Sequence, residues 1–277
     1  MDHYAVIGHP IAHSKSPHIH HAFALATGQA LTYDKIDSPL DAFVQTVDGF
    51  RATGGRGLNV TLPFKTEACD YATDLADSAR MAGAANALKF DGDRCWAENF
   101  DGVGLVRDIV HNLTTPLRDR RVLLLGAGGA TRGALWPLLE QGPAELCVVN
   151  RTVDKAHALV AEFHARGART DRLHACAYSE LGPHSRFDVV INATSASLSH
   201  EALPLPARVF KPDGLAYDMM YGKGLTPFLA LARQAEVRHL ADGVGMLVEQ
   251  AAEAFAWWRG VRPPTAPVIR ELTVALV

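Results

Sequence analysis

Cysteine is scarce in this chain. Cys69, Cys95, Cys147 and Cys176 are scattered through 277 residues, and no two form a CxxC pair. That spacing offers neither a disulfide frame nor a zinc ligand set, and it fits reduced thiols in a cytoplasmic protein. Long apolar runs are missing too, so no membrane-spanning segment is expected. The opening Met1-Asp-His-Tyr-Ala-Val-Ile-Gly8 lacks a basic start and a long apolar core, so no signal peptide is expected. Neither sign of charge is in excess. A net charge of −3 argues against a nucleic-acid or anionic-membrane binder. Internal repeats and low-complexity segments are absent. What is present is a chain with 48% hydrophobic residues and a length that suggests two domains.

The most informative stretch is Arg121-Val-Leu-Leu-Leu-Gly-Ala-Gly-Gly-Ala-Thr-Arg-Gly133. Arg121 to Leu125 reads as a buried parallel strand, because it is apolar without alternation. Gly126, Ala127, Gly128 and Gly129 make a turn that only small residues allow, and from Ala130 a helical pattern follows. Strand, glycine turn and helix form the setting of a dinucleotide site. Gly126 permits the tight turn, Gly128 lets backbone approach a pyrophosphate, and free N–H groups at the helix start face the anion. The third glycine of GxGxxG is replaced by Thr131.

The next strand, Ala144 to Val149, ends in Asn150-Arg151-Thr152, followed by Val153, Asp154 and Lys155. This is where such a unit meets the adenosine ribose. An NAD site would place Asp or Glu there, whereas Arg151, Thr152 and Lys155 suit a 2′-phosphate. NADP is therefore expected over NAD, with Arg151 as a solvated loop charge the competing account.

The N-terminal half offers scattered polar residues. Tyr4 to Gly8 reads as a strand and Ser16-Pro17 as a helix start. Ser14 and Ser16 beside free N–H groups can hold a carboxylate, or can simply cap the helix. His13, His18, His20 and His21 lack an acidic or Cys ligand nearby, so no metal is expected. Leu31 to Ile36 reads as a strand, Pro39 to Phe50 as a helix, and Arg51 to Gly57 as a glycine-rich turn. Asn59 to Leu62 suits a strand end before Pro63. Lys65 then opens a helix, where the positive dipole disfavours a lysine structurally and can lower its pKa for proton transfer. Asn86 lies at a strand mouth. Asp91-Gly92-Asp93 reads as a hairpin turn, and Asp101 starts a helix that it can cap. Thr114 to Arg120 is a polar linker at a domain boundary.

Further on, Phe187 to Asn192 and Leu215 to Met219 read as strands. Asn192 to Ser197 and Asp218 to Gly222 lie at their carboxyl ends, where doubly wound sheets bind ligands. Asp242-Gly243-Val-Gly245 reads as a flexible turn. Met246 to Trp258 is a long amphipathic helix in which Trp257 and Trp258 pack and Gln250 is the polar exception.

Taken together, these segments resemble shikimate dehydrogenase from end to end. The motifs are HSKSP at 13–17, NVTLPFK at 59–65, AAN at 84–86, NFD at 99–101, GAGGATR at 126–132, NRT at 150–152, NATS at 192–195, YDMMYGK at 217–223 and GVGMLVEQA at 243–251. The resemblance implies a cytoplasmic, NADP-dependent oxidoreductase of the shikimate pathway. Such an enzyme reversibly reduces 3-dehydroshikimate to shikimate, in chorismate and aromatic amino-acid biosynthesis. It implies an α/β fold of two domains with a deep cleft between them. Residues 1–101, joined by the C-terminal helical segment 246–277, would be the substrate-binding domain, and residues 102–245 a Rossmann-type, doubly wound NADP domain. The expected partner is the small-molecule substrate, with neither nucleic acid nor membrane, and a homodimer is compatible with the reading.

By the same resemblance, Lys65 and Asp101 form the catalytic pair. Ser14 and Ser16 hold the substrate carboxylate, and Thr61, Lys65, Asn86, Asp101 and Gln250 contact its ring hydroxyls, while Tyr221 reaches the substrate. Gly126, Ala127, Gly128, Gly129, Ala130, Asn150, Arg151, Thr152, Val153, Asp154, Lys155, Met219 and Gly243 line the NADP site, with Asp77 placed near the cofactor. Three positions depart from the family pattern: Phe100 stands for the usual Thr, His21 for Asn and Ala87 for Thr. Phe100 removes a hydroxyl, which bears on substrate preference. The alternative is a quinate/shikimate dehydrogenase using NAD, against which Arg151 argues. A non-catalytic nucleotide sensor is a rival that Lys65 and Asp101 together disfavour.

Overall fold

The computed structural model describes residues 1–167, 171–194, 203–222 and 224–276. Ser195 to Ser197 and Lys223, singled out by the motifs above, lie outside the described residues. The chain forms two units: Met1–Gly104 with Val248–Glu271, and Leu105–Leu247 with the last residues from Leu272 on.

The first unit holds a six-stranded sheet. Its strands are β1 (Asp2–Gly8), β2 (Leu31–Asp37), β3 (Gly55–Val60), β4 (Asp74–Leu75), β5 (Ala87–Asp91) and β6 (Arg94–Glu98), in the order β2-β1-β3-β5-β6-β4. β1 lies parallel to both β2 and β3, while the β5–β6 hairpin turns antiparallel. Helices α1 (Ser16–Thr27), α2 (Phe43–Ala52), α3 (Lys65–Tyr71) and α4 (Asp77–Ala82) connect them. Ala5, Ile7, Phe43, Leu58, Val60, Phe64 and Leu88 form the core on one side. The fully buried departure Ala87 is in β5, and His21 is exposed on α1.

The stretch 51–57, expected to be a turn, is strand from Gly55 onward. A Cβ at Gly55 would sit 2.2 Å from the Phe50 ring, and one at Gly57 would sit 2.6 Å from Trp258 Nε1. These glycines admit aromatic rings against strand backbone, a use that local composition does not separate from turn formation.

The second unit is a parallel sheet of β7 (Arg121–Leu125), β8 (Glu145–Val149), β9 (Leu173–Cys176), β10 (Phe187–Asn192), β11 (Phe210–Asp218) and β12 (His239–Asp242). Its order, β12-β11-β10-β7-β8-β9, winds outward both ways from β7, the doubly wound dinucleotide arrangement. Helices α5 (Asp101–Arg107), α6 (Gly129–Glu140), α7 (Val153–Ala165), α8 (Pro227–Gln234), α9 (Val244–Arg259) and α10 (Ala266–Leu272) complete the described chain. The chain passes between the units within α5, again within α9 and a third time at the end of α10. Leu123, Leu125, Val149, Phe187, Val190 and Phe228 build the second core.

The expected flexible turn at 242–245 is instead the end of β12 running into α9. Four residues of β12 are too few for a pattern, and Gly245 is glycine for a tertiary reason: a Cβ there would lie 1.9 Å from Asp108 Oδ1. Buried Asp108 in turn accepts the Tyr217 hydroxyl at 2.7 Å.

Candidate active site

In the first unit, one hydrogen-bonded cluster joins residues that are far apart in sequence. Lys65, first residue of α3, donates from Nζ to Asp101 Oδ2 at 2.5 Å. Asn86 Nδ2 donates to Asp101 Oδ1 at 2.8 Å and to Gln250 Oε1 at 3.1 Å. Asn86 Oδ1 accepts the Phe100 amide at 2.8 Å, so the orientation of the Asn86 side chain is fixed from both ends. The Lys65 and Asp101 side chains are 28% and 16% exposed, so their charge-assisted bond is only partly screened.

The structure separates the two roles open to Asp101. The amide of Asp101 is received by Asn99 Oδ1 at 3.1 Å, while Asn99 Nδ2 donates to Ala84 O at 3.0 Å. Buried Asn99 closes the start of α5, which leaves both Asp101 carboxylate oxygens to Lys65 and Asn86.

Ser14 and Ser16 converge at the start of α1. The Ser14 hydroxyl donates to Ser16 Oγ at 3.2 Å and accepts the Ser16 amide at 3.3 Å. Ser16 is the first helical residue, and the cap position falls to Lys15, which makes no side-chain capping bond. Thr61 follows β3, with its amide bonded to Ile7 O at 3.0 Å. Gly8 is glycine because a Cβ there would lie 2.5 Å from Thr61 Cγ2. Phe100 sets its ring edge-on to Trp257, with centroids 5.8 Å apart. Asp77 is exposed on α4 and pairs with Arg80 one turn along, so the structure does not bring it into the Lys65 network. His18 pairs with Glu271 at 3.0 Å.

In the second unit, the glycine loop lies at the β7–β10 switch point. Gly126 has φ +105°, a conformation that requires glycine, and its amide bonds Val149 O at 2.8 Å. Thr131, at the position of the third glycine, is buried and donates its hydroxyl to Gly126 O at 2.9 Å. Positions 128 and 129 differ in kind: a Cβ at either would meet nothing within 4 Å among the described residues. The protein's own packing does not demand glycine there, which fits a loop kept bare for another molecule. α6 starts at Gly129 after the cap residue Gly128, which has no side chain to bond the first amides of the helix.

Beside this loop, Asn150 Nδ2 donates to Thr152 O at 2.8 Å, and Arg151, Thr152, Asp154 and Lys155 are exposed at the start of α7. Met219 and Gly243 meet closely: a Cβ at Gly243 would lie 2.2 Å from Met219 O. Tyr221 is 38% exposed on the loop after β11. Beneath these loops Asp218 is fully buried. It accepts Asn192 Nδ2 at 3.0 Å, the Thr226 hydroxyl at 2.6 Å and the Met220 amide at 3.1 Å. The sequence alone assigns no individual role to Asn59 or Asn99, and places Asp218 only within a segment at a ligand-binding strand end. A polar residue at the end of an apolar strand is the available signal in each case.

A glycine-loop, doubly wound unit with exposed cations after its second strand, joined to a unit carrying a Lys–Asp pair held by amide side chains, is the equipment of a nicotinamide-dependent oxidoreductase. Family models match in three pieces: a shikimate dehydrogenase substrate binding domain over residues 6–88, a shikimate / quinate 5-dehydrogenase over 108–200, and a shikimate 5′-dehydrogenase C-terminal domain over 243–273. The chain belongs to the shikimate dehydrogenase family. It is similar to the shikimate dehydrogenase (NADP(+)) of Aromatoleum aromaticum, with 56% identity over 98% of this chain and 97% of that protein. Among solved structures it resembles an Ael1 enzyme from Pseudomonas putida, at 56% identity and a TM-score of 0.94 over the whole of both chains. It also resembles shikimate 5-dehydrogenase from Thermus thermophilus in complex with NADP(H) and shikimate, at 33% identity and a TM-score of 0.85 over 98% of each chain.

Proposed function

We propose that this chain catalyses the reversible reduction of 3-dehydroshikimate to shikimate with NADPH, a step toward chorismate and the aromatic amino acids. The observation that carries the mechanism is the Lys65–Asp101–Asn86–Gln250 network. When bound, NADPH supplies the hydride that reaches the ketone carbon. Lys65 delivers a proton to the developing alkoxide oxygen and stabilises its charge beforehand. Asp101 holds the ammonium in place, and Asn86 and Gln250 offer complementary amide groups to ring hydroxyls. An unfilled amide in such a site is costly, so the same groups reject substrates that lack a hydroxyl. Ser14 and Ser16 receive the carboxylate, Thr61 joins the hydroxyl contacts, and Tyr221 reaches the substrate.

Gly126 to Ala130 would cradle the pyrophosphate, with Arg151, Thr152 and Lys155 at the 2′-phosphate and Asn150, Val153, Asp154, Met219 and Gly243 lining the rest. Asp77, exposed and paired with Arg80, is the weakest member of this set.

Among the described residues, no helix is long and apolar enough to cross a membrane. A cytoplasmic location belongs to the proposal and agrees with the free thiols Cys69, Cys95, Cys147 and Cys176. A homodimer is the assembly to test by light scattering. The deciding assay gives purified protein shikimate or quinate with NADP or NAD and follows absorbance of the reduced cofactor. Turnover of shikimate with NADP is expected. Turnover confined to quinate, or to NAD, would overturn the reading.

A further inference from the structure

Tyr33 is assigned no contact with substrate above, yet its phenol is placed with care, between Asn59 and Ser16. The residue is 1% exposed on β2, and its hydroxyl reaches past the intervening strand β1 to donate to Asn59 Oδ1 on β3 at 2.7 Å. The ring is held in place: His20 of α1 stacks on it with centroids 4.2 Å apart and planes 7° from parallel, and Trp258 lies 6.5 Å away. Burial pushes the phenol well above its ordinary range, an effect that a hydrogen bond with Ser16 partly offsets, so the group remains a protonated donor.

A buried amide side chain can sit in either of two orientations, and its neighbours choose between them. Here the phenol donates to Asn59 Oδ1, which turns Asn59 Nδ2 to Asn86 O at 3.3 Å. That carbonyl also accepts the Val60 amide at 2.9 Å, and the Asn86 amide bonds Glu98 O at 3.0 Å. The main chain of Asn86 is thereby fixed, and its side chain is the one that orients Asp101 and meets Gln250.

We propose that Tyr33 is a positioning residue for catalysis: its phenol sets the Asn59 amide, which holds Asn86 and, through it, the Asp101–Lys65 pair. The inference rests on the function proposed above and deepens it by naming a residue that reaches the reacting groups only through others. Tyr33→Phe keeps the ring and removes only the oxygen, leaving Asn59 Oδ1 buried without its donor. The kcat for shikimate oxidation should fall about tenfold, while KM for NADP stays unchanged. Tyr33→Phe added to Asn59→Ala should slow turnover no further than Asn59→Ala alone.

A folded Tyr33→Phe enzyme with normal kcat overturns the inference, and so does one that merely melts earlier. Failure of Tyr33→Phe to fold would assign the phenol to stability and overturn it as well. Losses that multiply in the double variant remove the route through Asn59. A wild-type chain inactive on shikimate with NADP is a separate result, read before any variant is made; it defeats the underlying function and takes the inference with it.

Discussion

The two units build their candidate sites from different materials. In the second, the loop at 126–130 is backbone: a positive φ at Gly126, bare positions at 128 and 129, and uncapped amides at the start of α6. In the first, the cluster is side chains. Lys65, Asn86, Asp101 and Gln250 come from four separate segments and meet only in the fold. Backbone sites are written in consecutive residues and tolerate varied neighbours. Side-chain sites depend on each member's reach, and one lost atom propagates.

That difference is sharpest at Lys65. Lys65→Ala should lower kcat on shikimate by about 10²–10⁴, the range for a lost proton-transfer group. NADP affinity, measured by fluorescence titration, should hold. Asp101→Asn should also slow turnover, because Asn99 receives the Asp101 amide and closes α5 without the carboxylate. With the pair acting as one unit, the double variant should be little slower than Lys65→Ala alone. Near-normal kcat in Lys65→Ala would remove the side-chain site from the mechanism.

The backbone site is broken by adding atoms instead of removing them. Gly128 has φ −95° and ψ −168°, open to any residue, and a Cβ there meets nothing within 4 Å among the described residues. Gly128→Val should therefore leave the melting temperature nearly unchanged and weaken NADP binding roughly 10–100-fold, by intruding on a close approach. Weakened folding with intact NADP binding would return the glycine to a purely structural role. Arg151→Ala probes the side chain proposed to meet the 2′-phosphate. Loss of a charge-assisted phosphate contact should weaken NADP binding roughly 10–100-fold and leave NAD and shikimate binding nearly unchanged. Equal loss for both cofactors would sink the 2′-phosphate assignment.

The same contrast governs what can be read from the chain alone. The strand–glycine–helix stretch at 121–133 is visible because all its parts are neighbours. Ser14, Lys65 and Asp101 stand out singly, but each has a local competitor, and composition cannot choose. For Asp101 the choice depends on Asn99, Ala84 and Asn86, whose positions follow from the sheet. Gly55 and Gly57 read as turn residues because the rings they admit, Phe50 and the distant Trp258, leave no mark on local composition. β12 is too short for periodicity, and its place is set by pairing with β11. Tyr33 looks like an ordinary strand residue until its partner across the sheet is known.

The last effect distinguishes the two units by pH. His20 is fully buried in the first unit among Tyr33, Phe23, Phe255 and Trp258. Burial pulls its pKa down to about 3, against a weaker opposing pull from Asn59 and a small further lowering by His21. In the unfolded chain the ring protonates near its ordinary 6.5, so below that pH the unfolded state binds a proton that the native state refuses. Stability therefore falls as pH drops from about 6.5 toward about 3, at about 1.4 kcal/mol per unit, or about 2 kcal/mol between about pH 7 and pH 5. The second unit has the opposite tendency in that window. His174 is raised, chiefly by its bond to Glu145, so its contribution is fully present below 6.5 and is lost as pH rises through its folded value. Glu145 itself, lowered to about 2 first by His174 and also by Arg121, loses its contribution only as pH falls from about 4.5. His20→Phe keeps an aromatic ring against Tyr33 and removes the titration. Urea unfolding of both proteins at about pH 7 and pH 5 should show the stability gap moving by about 2 kcal/mol in favour of the variant at the lower pH. A gap that does not move would mean that His20 takes up its proton in the folded state, and that the aromatic wall behind Tyr33 admits a charge.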